Sequence, residues 1–263
     1  MADAGETARL LVEDQGAVRV LTLANPAKRN AVDAGVLAAL ETALSQARAD
    51  GVRCLVLRGE GGKAFSAGYD LTSLTEAAES GPLPDAPLTS ALRAMEQPGP
   101  PIVAWVNGAA FGAGCELACA CDLRVASSGA TFGMPPARLG IIYAASGLAR
   151  VTALTGVSRA KQLFFTGAPL DAATALQWGL VDRVAPPDQG LEETLHLAQS
   201  IAANSPRAVQ GMRKIFTALA QPRLGEGELS ALEEERRAAF RGADAREGRA
   251  AFLEKRAPKF EGK

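Results

Sequence analysis

Hydrophobic and polar residues alternate through residues 8–24 on either side of Gln15-Gly16, which predicts an antiparallel hairpin ending at Asn25-Pro26. The period then changes. Asp33 precedes Val36, Leu37, Leu40 and Leu44, spaced to share one face of a helix that it caps and that runs to about Ala49. Residues 53–57 form a short apolar run, read as a buried strand, and lead into Gly59-Glu60-Gly61-Gly62. Residues 80–88, Ser-Gly-Pro-Leu-Pro-Asp-Ala-Pro-Leu, read as a mobile loop ahead of a helix from about Thr89 to Gln97. Pro101-Ile102-Val103-Ala104-Trp105-Val106 is the next buried strand. A glycine turn follows it, then a buried helix through Cys115 and Ala120, a strand at 123–126 and a short one near Thr131-Phe132.

Beyond about residue 145 the pattern turns helical. Helices are predicted at 147–155, 158–166 and 171–178, one strand at 181–185, and then helices at 190–203, 206–219, 226–241 and 244–256. Strands alternating with helices predict a largely parallel sheet with right-handed crossovers. The chain divides on this reading into an α/β core over 1–190 and a helical region over 191–263, with no internal repeat.

Composition narrows the function more than the fold. The 28 basic and 29 acidic residues, net charge −1, carry no polyanion signature, and no cluster mixes bases with aromatics, so nucleic acid is excluded as a partner. No apolar run approaches a membrane span, and Met-Ala-Asp-Ala-Gly-Glu-Thr lacks the regions of a secretory signal. The four cysteines form no CxxC pair and sit among apolar neighbours, as expected of reduced thiols in a cytoplasmic protein. Cys115, Cys119 and Cys121 are read as buried core, not metal ligands.

Two stretches carry the candidate chemistry. In 106–122 a strand, three glycines in seven positions and a helix follow one another, so the free N–H groups of a helix start face whatever lies above the turn. Glu116 sits one turn into that helix among apolar residues. Its structural reading is a capping-box residue at the third helical position. Its chemical reading is an acid/base, because a carboxylate in Gly-Cys-Glu-Leu-Ala-Cys is costly unless partnered or used. The second stretch, Gly62 to Leu71, supplies another glycine turn after a strand, with Asp70 ready to cap the next helix.

Together these stretches resemble the crotonase family of enoyl-CoA hydratases and isomerases. The family carries G-x-A-F-x-A-G-x-D-[LI] and, some forty residues on, N-G-x-A-x-G-G-G-x-E-L-x-x-x-C-D. The chain matches the first through Gly62–Leu71 and the second through Asn107–Asp122, with Ala113 in place of the middle glycine. The resemblance extends over essentially the whole chain, including Leu163-Phe164-Phe165-Thr166-Gly167 and the tail 246–256. It implies the crotonase (ClpP-like) α/β fold, a stacked right-handed β-β-α superhelix with a helical C-terminal region used for trimerisation. It also implies an acyl-CoA thioester as substrate, coenzyme A being part of that substrate, with no tightly bound cofactor and no metal, and a homotrimer or dimer of trimers.

By the same resemblance the backbone N–H groups of Tyr69 and Ala113 hold the thioester carbonyl oxygen while an enolate forms, and Glu116 is the acid/base. Gly68, Asp70 and Gly112 line the pocket beside them. Lys28, Ala67, Phe252 and Lys255 stand at positions that hold the coenzyme A portion. Hydratases of the family use a second glutamate, and its position here is Pro136, which can neither take nor give a proton. The segment from Pro135 through Arg138 to Tyr143 instead resembles the methylmalonyl-CoA decarboxylase branch, with P-x-x-L-G-x-x-Y, although Tyr69 replaces the histidine of that branch. On this resemblance Tyr143 is a further catalytic residue, orienting the departing carboxylate or reprotonating carbon, and Pro136 and Arg138 line the substrate pocket. Three activities follow as alternatives: hydratase-like lyase, malonyl-type decarboxylase, and a non-catalytic thioester-binding protein. Two other signals are weaker. Gly108, Gly112 and Gly114 have dehydrogenase-loop spacing without the Tyr-x3-Lys that chemistry needs, and Ala64-Phe65-Ser66-Ala67-Gly68 is a degraded nucleophile elbow whose only base is His196.

Overall fold

A computed structural model describes residues 8–72, 81–220 and 224–262. The N-terminal heptapeptide and residue 80 of the expected loop lie outside the described residues. The hairpin is present as β1 (Arg9–Gln15) and β2 (Val18–Ala24). A six-stranded sheet continues from β2 through β3 (Cys54–Gly59), β5 (Ile102–Val106), β7 (Leu123–Ser127) and β10 (Arg183–Ala185), all parallel. A second, four-stranded sheet is built from the short strands β4 (Ala64–Ser66), β6 (Ala109–Phe111), β8 (Thr131–Gly133) and β9 (Leu170–Asp171).

Each long strand from β3 to β7 is followed by a short strand of the other sheet, and the first two such pairs lead on to helices α2 (Ala86–Glu96) and α3 (Ala113–Ala120). This is the expected β-β-α stacking of the crotonase fold. The continuous apolar runs of β3 and β5 follow from burial on both faces of the large sheet. Leu55, Leu57, Ile102 and Ala104 face α1 (Ala34–Ala49), α2 and α3. Cys54, Val56, Val103 and Trp105 face α7 (Gly190–Ala202). Asp33 caps α1 by accepting from Val36 N at 2.9 Å, and Val36, Leu37, Leu40 and Leu44 are all buried.

Two expectations are corrected. Helix α2 begins at Ala86, inside the stretch read as loop, because Pro87 falls in the first helical turn, where no amide partner is needed. The glycine turns after β3 and β5 also contain β4 and β6, three residues each, too short to show a period.

Asn107 and Asp122, which open and close the second motif, are scaffold, as is Asn30. Asn107 accepts from Gly59 N at 3.0 Å and donates to Gly61 O at 2.5 Å, while Asn30 donates to Glu60 O and Ala64 O. Asp122 accepts from Ile102 N at 2.8 Å and binds buried Arg213 at 2.8 Å, which fixes α8 (Pro206–Ala220) to the core. Around this anchor α8 exposes Met212, Ile215, Phe216 and Leu219, an i, i+3, i+4, i+7 apolar stripe. Helices α9 (Glu226–Arg241) and α10 (Ala243–Leu253) follow, α10 packing Gly248 against Leu139. Among the described residues no helix is long and apolar enough to cross a membrane.

Candidate active site

The turns after β4 and β6, which carry the Tyr69 and Ala113 amides, meet. Val32 N donates to Gly68 O at 2.9 Å and Asp70 N donates to Val32 O at 2.8 Å, so Val32 pairs with Tyr69 through that residue's neighbours. In a trans peptide N–H and C=O point oppositely, and no peptide here is cis, so the Tyr69 N–H is directed away from Val32. Gly68 adopts φ +105°, and a β-carbon on it would stand 2.8 Å from Phe111 O and 3.5 Å from Ala113 N. The two loops are thus in direct contact at a point only glycine fits. Ala113 opens α3, so its N–H has no acceptor within the helix.

Glu116 lies on the same short helix. Its amide donates to Gly112 O at 2.9 Å, which makes Gly112 the N-cap and Glu116 the fourth helical residue. The capping-box reading therefore fails, since that role belongs to the third. The side chain is 4% exposed and makes no hydrogen bond among the described residues. Burial pushes its pKa up to about 7; Arg150 and Arg236 pull it down, Asp85 and Glu96 add to the rise. Oε1 rests against Gly147, where any β-carbon would stand 2.2 Å from it, and 3.7 Å from Arg150 Nη1. A carboxylate poised near neutrality beside free backbone donors is the composition of an acid/base site.

Tyr143 completes the cluster. Its hydroxyl is 3.2 Å from where a β-carbon on Gly112 would stand, and its ring meets Phe164 edge-on at 6.0 Å and 77°. Burial first, then the charge of Glu116, keeps this phenol protonated well above the usual range. Pro136 is buried at the start of a 3-10 turn, Pro136–Leu139, and brings no titratable group.

The remaining sequence-derived residues are distributed less tightly. Lys28 Nζ pairs with Asp70 at 2.7 Å, and exposed Ala67 donates its amide to Arg29 O at 2.9 Å, so these three lie on one rim next to Gly68. Phe252 is 61% exposed, and Lys255, also exposed, follows the end of α10. Arg138 is not brought to Glu116. It is exposed and caps α5 (Val157–Thr166), donating to Thr166 O at 3.3 Å. The degraded elbow gains no support: Ser66 is buried with its hydroxyl accepting from Gly68 N, while His196 lies on α7, on the far face of the large sheet. All four cysteines are buried and unpaired, and no metal-binding cluster occurs among the described residues.

Sequence reasoning missed Arg150, Glu96, Asp85 and Arg236. Arg150 had a signal: it is the one charged residue of α4 (Ala145–Thr155), ASGLARVTALT. The other three had none, being ordinary members of polar helix ends and faces.

Residues 13–263 match the enoyl-CoA hydratase/isomerase family. A probable enoyl-CoA hydratase of Rhizobium meliloti (strain 1021) is 38% identical, with 95% of this chain and 97% of that protein covered. The 2,3-dehydroadipyl-CoA hydratase of Escherichia coli (strain K12) is 37% identical over 97% of this chain and 99% of its own. A methylmalonyl-CoA decarboxylase, solved with 2-nitronate-propionyl-CoA, superposes with a TM-score of 0.90 at 31% identity, covering 97% of this chain and 99% of the other. The chain belongs to the enoyl-CoA hydratase/isomerase family, the crotonases.

Proposed function

We propose that this acyl-CoA enzyme works by making and protonating a thioester enolate. The Tyr69 and Ala113 amides receive the negative charge that develops on the carbonyl oxygen, and Glu116 delivers or removes the proton at the α-carbon. Lys28 and the backbone at Ala67 hold the coenzyme A portion on the adjoining rim, with Gly68, Asp70 and Gly112 shaping the throat. Phe252 and Lys255 are assigned to the same group of contacts and reach it from a neighbouring subunit.

The observation that carries the choice of reaction is Pro136, buried, at the position where the sequence resemblance expects a hydratase's second glutamate. Hydration of an enoyl thioester needs water aimed at the β-carbon and a proton at the α-carbon, and each acid/base group contributes about 10²–10⁴-fold. Loss of carbon dioxide from a malonyl-type thioester needs less. The C–C bond breaks, its electron pair becomes the enolate, and one proton from Glu116 or Tyr143 yields the shorter thioester. The sequence resemblance to the decarboxylase branch and the fit to its solved structure support this reading. The test is crotonyl-CoA hydration and methylmalonyl-CoA decarboxylation by the parent protein and Pro136→Glu. The expected result is slow hydration that rises in the variant. Hydration by the parent at hundreds per second, with no dependence on position 136, would return the enzyme to the hydratases, and no turnover of either thioester would leave only binding.

The assembly proposed is a homotrimer or a dimer of trimers. The exposed stripe of α8, with Leu229 and Leu232 exposed on α9, supports this as apolar surface available to a second subunit. Sedimentation showing a stable monomer at micromolar concentration would refute it.

A further inference from the structure

Glu116 is not the end of its charge network. Arg150 Nη1 stands 3.7 Å from Glu116 Oε1, is shielded from solvent, and has no hydrogen-bond partner among the described residues. The rest of the guanidinium is committed elsewhere: Nε and Nη2 both donate to Glu96 Oε1, the first at 3.2 Å. Side-chain exposure is 10% for Arg150 and 5% for Glu116, so the pair interacts with little solvent screening. The glycine at 147, three residues before Arg150 on the same helix, leaves the space into which Oε1 extends. Glu96 ends α2, Arg150 projects from α4, and Glu116 sits on α3 between them.

We propose that Arg150 is a positioning residue for Glu116: it contacts one carboxylate oxygen from the closed side of the site, allows that buried group to carry charge, and is itself aimed by Glu96. The proposal rests on Glu116 being the acid/base of the enolate reaction, whatever the leaving group. Its physical content is a balance. Burial favours the neutral acid, and an opposite charge this close favours the carboxylate. Glu96 weakens the pull twice, by occupying the Nε and Nη2 donors and by adding its own negative charge. The other groups acting on Glu116 are Asp85, which precedes α2, Arg236 on α9, the Cys115 and Cys119 thiols on α3, and the Tyr143 phenol. Asp85 and Arg236 are paired with each other, so their effects largely cancel, leaving Arg150 and Glu96 as the two adjustable charges.

A purely structural Arg150, tying α4 to α2, would affect stability and rate but not the sign of a titration. The experiment is an isotope-edited infrared titration of the Glu116 carboxyl in the intact protein without substrate, assigned by its loss in Glu116→Gln. Arg150→Met is expected to raise the midpoint by about 1–3 pH units, the range for removing an adjacent opposite charge. Arg150→Lys should fall between Arg150→Met and the parent. Glu96→Gln, nearly isosteric, should move the midpoint downward. The limb of the kcat/KM profile that reports Glu116, alkaline where it gives the proton and acid where it takes one, should follow each shift. Opposite movements in the Arg150 and Glu96 variants support the proposal. An unmoved midpoint, or movement of both in one direction, overturns it; should Arg150→Met fail to fold, Arg150→Lys and Glu96→Gln separate the same outcomes. Because the titration needs no turnover, an inactive protein whose midpoint shifts as described would refute the enolate reading while leaving the charge coupling of Arg150 and Glu96 to Glu116 established.

Discussion

Glu116→Gln is expected to lower turnover about 10²–10⁴-fold, the contribution of one acid/base group, and to make the folded protein more stable above neutral pH. Both effects have one origin. The carboxyl titrates at about 7 in the fold against 4.5 when free, chiefly because it is buried. Below pH 4.5 it is protonated in both states and costs nothing. Between 4.5 and 7 the unfolded chain releases a proton that the folded chain keeps, so stability from this group falls as pH rises. Above 7 the full cost is present, on the order of 3 kcal/mol. Glutamine resembles the protonated acid and never ionises. Urea unfolding should therefore show the variant and parent nearly equal at pH 4.5 and the variant ahead by up to that amount at pH 8. Equal stabilities at pH 8 would mean that Glu116 is already ionised and comfortable in the fold.

Ala113→Pro should remove one oxyanion donor without disturbing the helix that presents it. Ala113 is the first residue of α3, a position where proline is favoured because its amide has no intrahelical partner. The ring carbon replaces the amide hydrogen, so it would stand where the Ala113 N–H now points. A single such donor is worth about 2.7–4 kcal/mol in the transition state, so kcat should fall about 10²–10³-fold with the thermal midpoint little changed. Ala113→Gly, which keeps the N–H, is the control and should retain most activity. A proline variant within threefold of the parent would show that this amide is not aimed at the reacting oxygen.

Much of the layout was legible before any coordinates. Helix α1 has a capping aspartate and a clean apolar face, and β3 and β5 are apolar runs of the length a strand needs. Glu116 stood out because one carboxylate in an apolar helix demands an explanation. The misread start of α2 has a local cause, since proline serves equally as loop residue and as first-turn helix residue. The strands β4 and β6 were hidden for another reason. Three residues between glycines display no alternation, and their identity as strands comes from pairing with each other and with β8.

What the amino-acid order determined alone is the set of local choices: caps, apolar faces, glycine turns, an acid where none is cheap, and a proline where an acid was expected. Tertiary structure decided everything that depends on separation in space. Glu96 and Arg150 are 54 positions apart, and Arg236 lies 151 positions from Asp85, yet together they surround Glu116. Local propensity is blind to such pairs because each member is an ordinary charged residue on its own segment. Burial raises the energy of a lone charge and strengthens its attraction to another, so the proton affinity of Glu116 is a property of the packed helices α2, α3, α4 and α9 and not of the peptide that contains it.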